Sequence, residues 1–226
     1  MNLYNLQILS VRVLSIIYFT DDVLSECDVV FLAMKPQYLD EAVSSLNSGK
    51  NPKTKLFISI LVGVTISAIT KKLTTALNFV GFDVIRIMPN TPISVGAGCT
   101  MLCHDEDALS THVEIVKCLM SAGGACEVVS ESMLNPISAI CGAGPAYIYV
   151  MVEALSDGAV KMGVPRDLAT RVVAQTMLGA SQMVIKTGKH PGQLKDEVCS
   201  PGGSTIAGIH AMEQSGVRYG IVGKAC

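Results

Sequence analysis

DVVFLAMKP, residues 28–36, has a continuous apolar core, Val29 to Met34, bounded by a proline. A strand with one wet face alternates apolar and polar side chains. A continuous aliphatic run of this length instead predicts a strand buried on both faces, as in a parallel sheet covered by helices. LFISILVGV, residues 56–64, and DVIRIMPNTP, residues 83–92, repeat the pattern. Between them YLDEAVSSLN and TISAITKKLTTAL carry apolar residues at helical spacing, so strands and helices alternate and the first half reads as α/β with crossover helices. GCTMLCHD adds a strand, and THVEIVKCLMSAGG a helix stopped by Gly123 and Gly124. Upstream, residues 3–19 read as a further strand; Arg12 interrupts the run and no cationic start marks it as a targeting segment.

The pattern changes near residues 130–137, which sets the expected domains at 1–130 and 131–226. PAYIYVMVEALSDGAVKMG places Pro145 in a first helical turn and stops at Gly163. The next helix starts at Pro165 and stops at Gly188. Small residues (Ala146, Ala154, Gly158, Ala174, Gly179, Ala180) permit close helix packing, and apolar positions such as Val173 and Met177 fit either a bundle core or a subunit interface.

The chain has 226 residues and a formal net charge of −2, with no basic stripe, which argues against a nucleic-acid partner. Half of its residues are hydrophobic, and the mean hydropathy is +0.45. No uncharged apolar run is expected to reach the roughly 18 residues of a membrane span. Buried helices and an apolar interface account for the composition. The eight cysteines lack the spacing of a disulfide framework, which points to a reducing compartment. Cys99, Cys103 and His104 lack the matching second pair of a zinc site, so no metal is expected.

HPGQLKDEVCSPGGSTIAGIHAMEQSG, residues 190–216, sets Ser200-Pro-Gly-Gly-Ser-Thr205 in front of an apolar helix. From the residues alone this is either a loop between helices or an anion site: two glycines admit a ligand to the backbone, and the first amides of the helix point outward.

Taken together and in this order, VVFLAMKPQ, VIRIMPNTP, GAGPAYIYVMVEALSDGAVKMG and HPGQLKDEVCSPGGSTIAGIHAMEQSG resemble the pyrroline-5-carboxylate reductases. The resemblance implies a Rossmann domain followed by a helical dimerisation domain. It implies an oxidoreductase that reduces the cyclic imino acid 1-pyrroline-5-carboxylate to L-proline with NADPH or NADH, and a homodimer or higher homo-oligomer. A cytoplasmic location follows, with the mitochondrion left open; no membrane partner is implied. Imine reduction needs a hydride at carbon, a proton on nitrogen and a grip on the carboxylate, so few ionisable groups are required.

By resemblance, Ala33, Met34, Lys35 and Pro36, then Leu61, Val62 and Gly63, line the cofactor edge of the sheet, with Asn90 and Thr91 near the nicotinamide and Thr20 at the adenosine ribose or phosphate. Ser200, Gly203 and Ser204 form the substrate cradle, with Val198, Glu131 and Glu197 beside it. The Thr205 hydroxyl is the group that meets the ring nitrogen, the one catalytic assignment.

Glu197 stands where the family has an amide or small residue, and Ala143 replaces a serine of SGSGPAY. No glycine precedes Gly49, so the family's opening G-x-G-x-x-A/G turn is expected to be missing and the chain as written to be a weak reductase or none. The alternative is a non-catalytic truncated relative acting only through the dimerisation domain. A related hydroxy-acid dehydrogenase would need a catalytic lysine on its linking helix, and SPGGST argues against it.

Overall fold

The computed structural model describes residues 21–46 and 52–224; the strand expected at 3–19 and the ribose contact expected at Thr20 lie outside them. A short helix α1 (Asp21–Glu26) leads into β1 (Val29–Leu32), α2 (Leu39–Ser44), β2 (Leu56–Ser59), α3 (Ile66–Leu77), β3 (Asp83–Met88), β4 (Gly98–His104), α4 (Ser110–Ser121) and β5 (Gly124–Val128). Helices follow: α5 (Glu131–Cys141), α6 (Gly144–Lys161), α7 (Arg166–Thr187), α8 (Pro191–Val198), α9 (Ser204–Gln214) and α10 (Val217–Lys224). The strands form one sheet in the order β1-β2-β3-β4-β5, and β1, β2 and β3 are parallel, with Leu32 opposite Ser59 and Ser59 opposite Arg86.

The chain divides into two compact units, described residues through Ile87 with Leu102–Met120, and Met88–Met101 with everything from Ser121 on. The sequence boundary at 130 differs: residues 88–101 and 121–130 group with the helices.

The first unit is built on β2, whose four residues are all buried, as its apolar run requires. Around it lie Ile66, Ile69 and Leu73 of α3, Val84 and Ile85 of β3, and Val116 of α4, each at most 4% exposed. α3 begins with the Thr65 hydroxyl accepting from the Ala68 amide and ends at Asn78 in the left-handed conformation, φ 47°. Thr54, fully buried, donates to the carbonyl of Cys27 at 2.7 Å. Asp83 fixes the start of α4: its Oδ2 accepts from the Leu109 amide at 3.0 Å and lies 2.6 Å from His112 Nδ1.

Two expectations are corrected. β1 is not buried on both faces, since Phe31 is 48% exposed; the strand ends the described sheet, and a terminal strand leaves side chains accessible. The apolar runs also outlast their strands, because residues 33–36, 60–63 and 89–92 leave the sheet as loops and tight turns. Gly123 and Gly124 do more than stop a helix. Gly98 donates to the Gly123 carbonyl at 2.8 Å, and a Cβ on Gly124, at φ 144°, would fall inside the Gly98 backbone, so β5 exists only because these backbones can touch.

The second unit holds few buried large apolar side chains among its described residues. Leu134 is 1% exposed, but Tyr149, Val150, Val172 and Ile185 stand 54 to 80% exposed on α6 and α7. α6 packs along α7, with Ser156 buried and donating to the Val152 carbonyl at 2.7 Å, and Arg166 pairs with Asp157 at 2.6 Å. The expectation that no apolar stretch reaches membrane length also needs correcting. Residues 132–152 carry no charged side chain, and Glu131–Lys161 is long and apolar enough to cross a bilayer by length and composition, with a mean hydropathy of 1.3. The helix breaks at Gly142 and Ala143, and a face that buries against a second chain has the same composition.

Candidate active site

The loops after β1 and β2 leave the same carboxyl edge of the sheet, because the two strands are parallel and adjacent. After β1, Ala33 is exposed and Met34 half-buried, Lys35 is extended, and Pro36 opens a tight turn closed by Tyr38 donating to the Lys35 carbonyl at 2.9 Å. The Lys35 ammonium pairs with no carboxylate among the described residues. After β2, the buried Ser59 hydroxyl accepts from the Leu61 amide at 3.2 Å, and Ile60 donates to the Leu32 carbonyl at 3.2 Å. Leu61 is thereby tucked into the core while Val62 stands 59% exposed, and at Gly63 nothing lies within 4 Å of where a Cβ would be. The structure therefore brings residues 33–36 and 61–63 to one edge.

In the second unit, Asn90 and Thr91 follow β3. Thr91 is exposed at the start of a tight turn, but the half-buried Asn90 is committed: its Oδ1 accepts from the Cys99 amide at 2.9 Å and its Nδ2 donates to the Cys141 carbonyl at 3.2 Å. This clip joins the start of β4 to the end of α5. Sequence reasoning marked the residue and missed the clip, whose partners lie 9 and 51 positions away.

The Ser200–Thr205 run is a turn between two helices. α8 begins with His190 Nδ1 accepting from the Gly192 amide at 3.1 Å and ends with Cys199 donating to the Asp196 carbonyl at 3.0 Å. Gly203 then donates to the Ser200 carbonyl at 3.0 Å and, extended at φ −77° and ψ 169°, serves as the N-cap of α9 without any side-chain cap. A helix opening in this way leaves its first amides without an intrahelical acceptor. Ser200 and Ser204 are exposed and Thr205 half-buried, and the Ser200 hydroxyl lies against Gly203, 2.4 Å from where a Cβ on Gly203 would be.

The acids behave differently. Glu197 Oε1 takes the Lys189 ammonium at 2.7 Å, and Val198, 67% exposed, ends the same helix, so Glu197 braces α8. Glu131 is the first residue of α5, where its charge complements the helix dipole. A cleft of about 420 Å³ lined by Tyr149, Glu153, Asp157 and Arg166 holds none of the expected site residues.

An α/β half with open loops at its strand ends, followed by a helical half with an uncapped glycine turn, is the architecture of an incomplete Rossmann-like domain joined to an all-α domain. Residues 131–225 match the family model "Pyrroline-5-carboxylate reductase dimerisation", and residues 9–63 match "NADP oxidoreductase coenzyme F420-dependent". The chain is 42% identical over 200 residues to the pyrroline-5-carboxylate reductase of Arabidopsis thaliana, covering 88% of this chain and 70% of that protein. It is 40% identical over 195 residues to that of a Synechocystis strain, covering 86% and 70%. It also superposes on the Plasmodium falciparum pyrroline carboxylate reductase, solved with NADP bound, with a TM-score of 0.77 at 29% identity, covering 91% of this chain and 76% of that one. The Coxiella burnetii pyrroline-5-carboxylate reductase gives 0.74 at 36% identity, covering 90% and 73%. The chain belongs to the pyrroline-5-carboxylate reductase family.

Asn90→Ala removes both ends of the clip and strands a backbone donor and acceptor. It should lower unfolding stability by about 1–3 kcal/mol in urea melts, and an unchanged midpoint would show the clip to be idle.

Proposed function

We propose that this chain reduces 1-pyrroline-5-carboxylate to L-proline with NADPH, or NADH, as a cytoplasmic homodimer or higher homo-oligomer. The observation that carries the reading is the turn at residues 200–205: an uncapped helix start with hydroxyls on Ser200, Ser204 and Thr205 suits a small substrate that is a carboxylate at one side and an imine nitrogen at the other.

The division of labour follows the two proposed domains, 1–130 for the cofactor and 131–226 for dimerisation and substrate. The residues at the strand ends fit a nicotinamide dinucleotide: Ala33, Lys35, Pro36, Val62 and Gly63 are exposed while Met34 is half-buried and Leu61 buried beneath them, they carry one cation, Lys35, and no side chain closes the space over Gly63. Ala33, Met34, Lys35 and Pro36 with Leu61, Val62 and Gly63 would hold it, and Thr91 and Asn90 would flank its ring. When bound, the cofactor supplies a hydride to the imine carbon. The chain's own residues do the rest. The amides opening α9 and the hydroxyls of Ser200 and Ser204 hold the carboxylate, Gly203 makes room for the Ser200 hydroxyl beside those amides, and the Thr205 hydroxyl orients the ring nitrogen and its proton. Val198 and Glu197 border the turn, with Glu197 acting through its bond to Lys189; Glu131 contributes from the start of α5. No metal enters this scheme. The cytoplasmic assignment rests on the scattered spacing of the cysteines, which fits no disulfide framework.

The dimer is supported by the exposed apolar faces of α6 and α7. Covering side chains of this size stabilises by about 1.5–3 kcal/mol each when burial is complete. Val173 and Met177, marked from the sequence as interface positions, are half-buried within the chain itself, whereas Val172 is 54% exposed and is the cleaner probe.

Purified chain should oxidise NADPH, weakly, only when the imine is present; oxidation that proceeds equally without the imine would overturn the reading. Thr205→Ala should lower kcat/KM roughly 10-fold or more, because a hydrogen bond to a charged group is worth about 1.5–3 kcal/mol, and unchanged kinetics would remove Thr205 from the mechanism. Val172→Asp should leave each chain folded but monomeric in sedimentation experiments, since a charge would be buried unpaired in the assembly; an intact dimer would place the interface elsewhere.

A further inference from the structure

We propose that Cys99 and Cys141 form an oxidisable dithiol, a modification site at which hydrogen peroxide closes a disulfide between β4 and the end of α5. The two residues lie 42 positions apart, yet the Cys141 thiol donates to the Cys99 carbonyl at 3.1 Å and faces the Met88 carbonyl at 3.9 Å. Their side chains also meet each other. The Asn90 side chain holds both backbones at once, the amide of Cys99 and the carbonyl of Cys141, so the pairing is a fixed feature of the fold and not a chance approach of mobile side chains. Among the described residues no disulfide is present, and both sulfurs are thiols.

The two thiols are unequal. Cys141 is 7% exposed, and burial, with the neighbouring Cys99 adding to it, pushes its thiol up to about 11, so it stays protonated at neutral pH. Cys99 is half-buried and more accessible, which makes it the first to react, because the thiolate is the nucleophile and access governs attack. The Cys99 sulfur attacks a peroxide oxygen: an S–O bond forms, the O–O bond breaks, and the released hydroxide is protonated to water, leaving Cys99 as a sulfenic acid. The Cys141 sulfur then attacks the Cys99 sulfur. The S–S bond forms, the S–O bond breaks, and the departing hydroxide takes the Cys141 proton as a second water. Two thiols have lost two electrons and peroxide has gained them. The product ties the start of β4 to the end of α5 covalently, where the Asn90 clip ties them by hydrogen bonds.

The test treats the folded chain with hydrogen peroxide, blocks residual thiols, digests without reduction and maps the peptides by mass spectrometry. The expected result is a cross-linked pair containing Cys99 and Cys141, lighter by two hydrogens and separated by dithiothreitol. A rise in Tm of roughly 10 °C should accompany it, since a cross-link closing a loop of this length restricts the unfolded chain. Both signals should vanish in Cys99→Ser and in Cys141→Ser, the latter retaining a hydroxyl donor toward the Cys99 carbonyl. Recovery of Cys99 as a sulfinic acid without a cross-link, a disulfide joining other cysteines, or both thiols left free while the exposed Cys118 is oxidised would each overturn the proposal.

Discussion

One side chain organises the second unit. Asn90 satisfies an amide on β4 and a carbonyl at the end of α5, groups that would otherwise be half-buried without partners at the point where strand gives way to helix. An unmade backbone hydrogen bond of this kind costs about 1–3 kcal/mol, so two of them amount to a sizeable part of the stability of a domain. An amide suits the position because it offers one donor and one acceptor on the same short stem; a carboxylate would face the Cys141 carbonyl with like charge, and alanine would leave both groups open. The glycines nearby serve the same join from the other side, since Gly98 and Gly123 bond backbone to backbone and Gly124 has no room for a Cβ.

The two units meet the demand for burial differently. The first buries β2 completely and lines it with α3, β3 and α4, so its apolar residues are consumed internally. The second leaves tyrosines and aliphatics of α6 and α7 accessible while keeping Ser156 and Ala169 buried where the helices touch. Residues 131–225, which carry this exposed apolar surface, match a dimerisation family, and the proposed dimer would cover it.

What the sequence made legible was what physics forces into local pattern. Strands of a covered parallel sheet are largely apolar, so residues 28–36, 56–64 and 83–92 disclosed one even though Phe31 of β1 is exposed and β3 buries Arg86, and the runs overshot because loop residues such as Leu61 are buried too. Helices α6 and α7 were delimited by Pro145, Gly163, Pro165 and Gly188, whose backbone preferences act within a residue or two. β5 was not legible: GACEV is short, half-exposed and ends in no apolar run, and its reason for existing is a backbone contact with Gly98. α5 hides behind Pro136 in its interior. Of the site, the turn at residues 200–205 could be read because glycine and proline announce it. The Asn90 clip and the Cys99–Cys141 pair could not, because they join positions far apart in sequence and depend on the fold being complete.

The central claim is that strand-end loops hold the dinucleotide and the α9 turn holds the carboxylate. Backbone hydrogen exchange measured by mass spectrometry with NADPH and with L-proline tests it most directly. NADPH should slow exchange in residues 33–38 and 61–65, and L-proline in residues 200–206, each ligand acting on its own segment. Saturating ligand with unchanged exchange in these segments, or protection confined to the cleft between α6 and α7, would contradict the account.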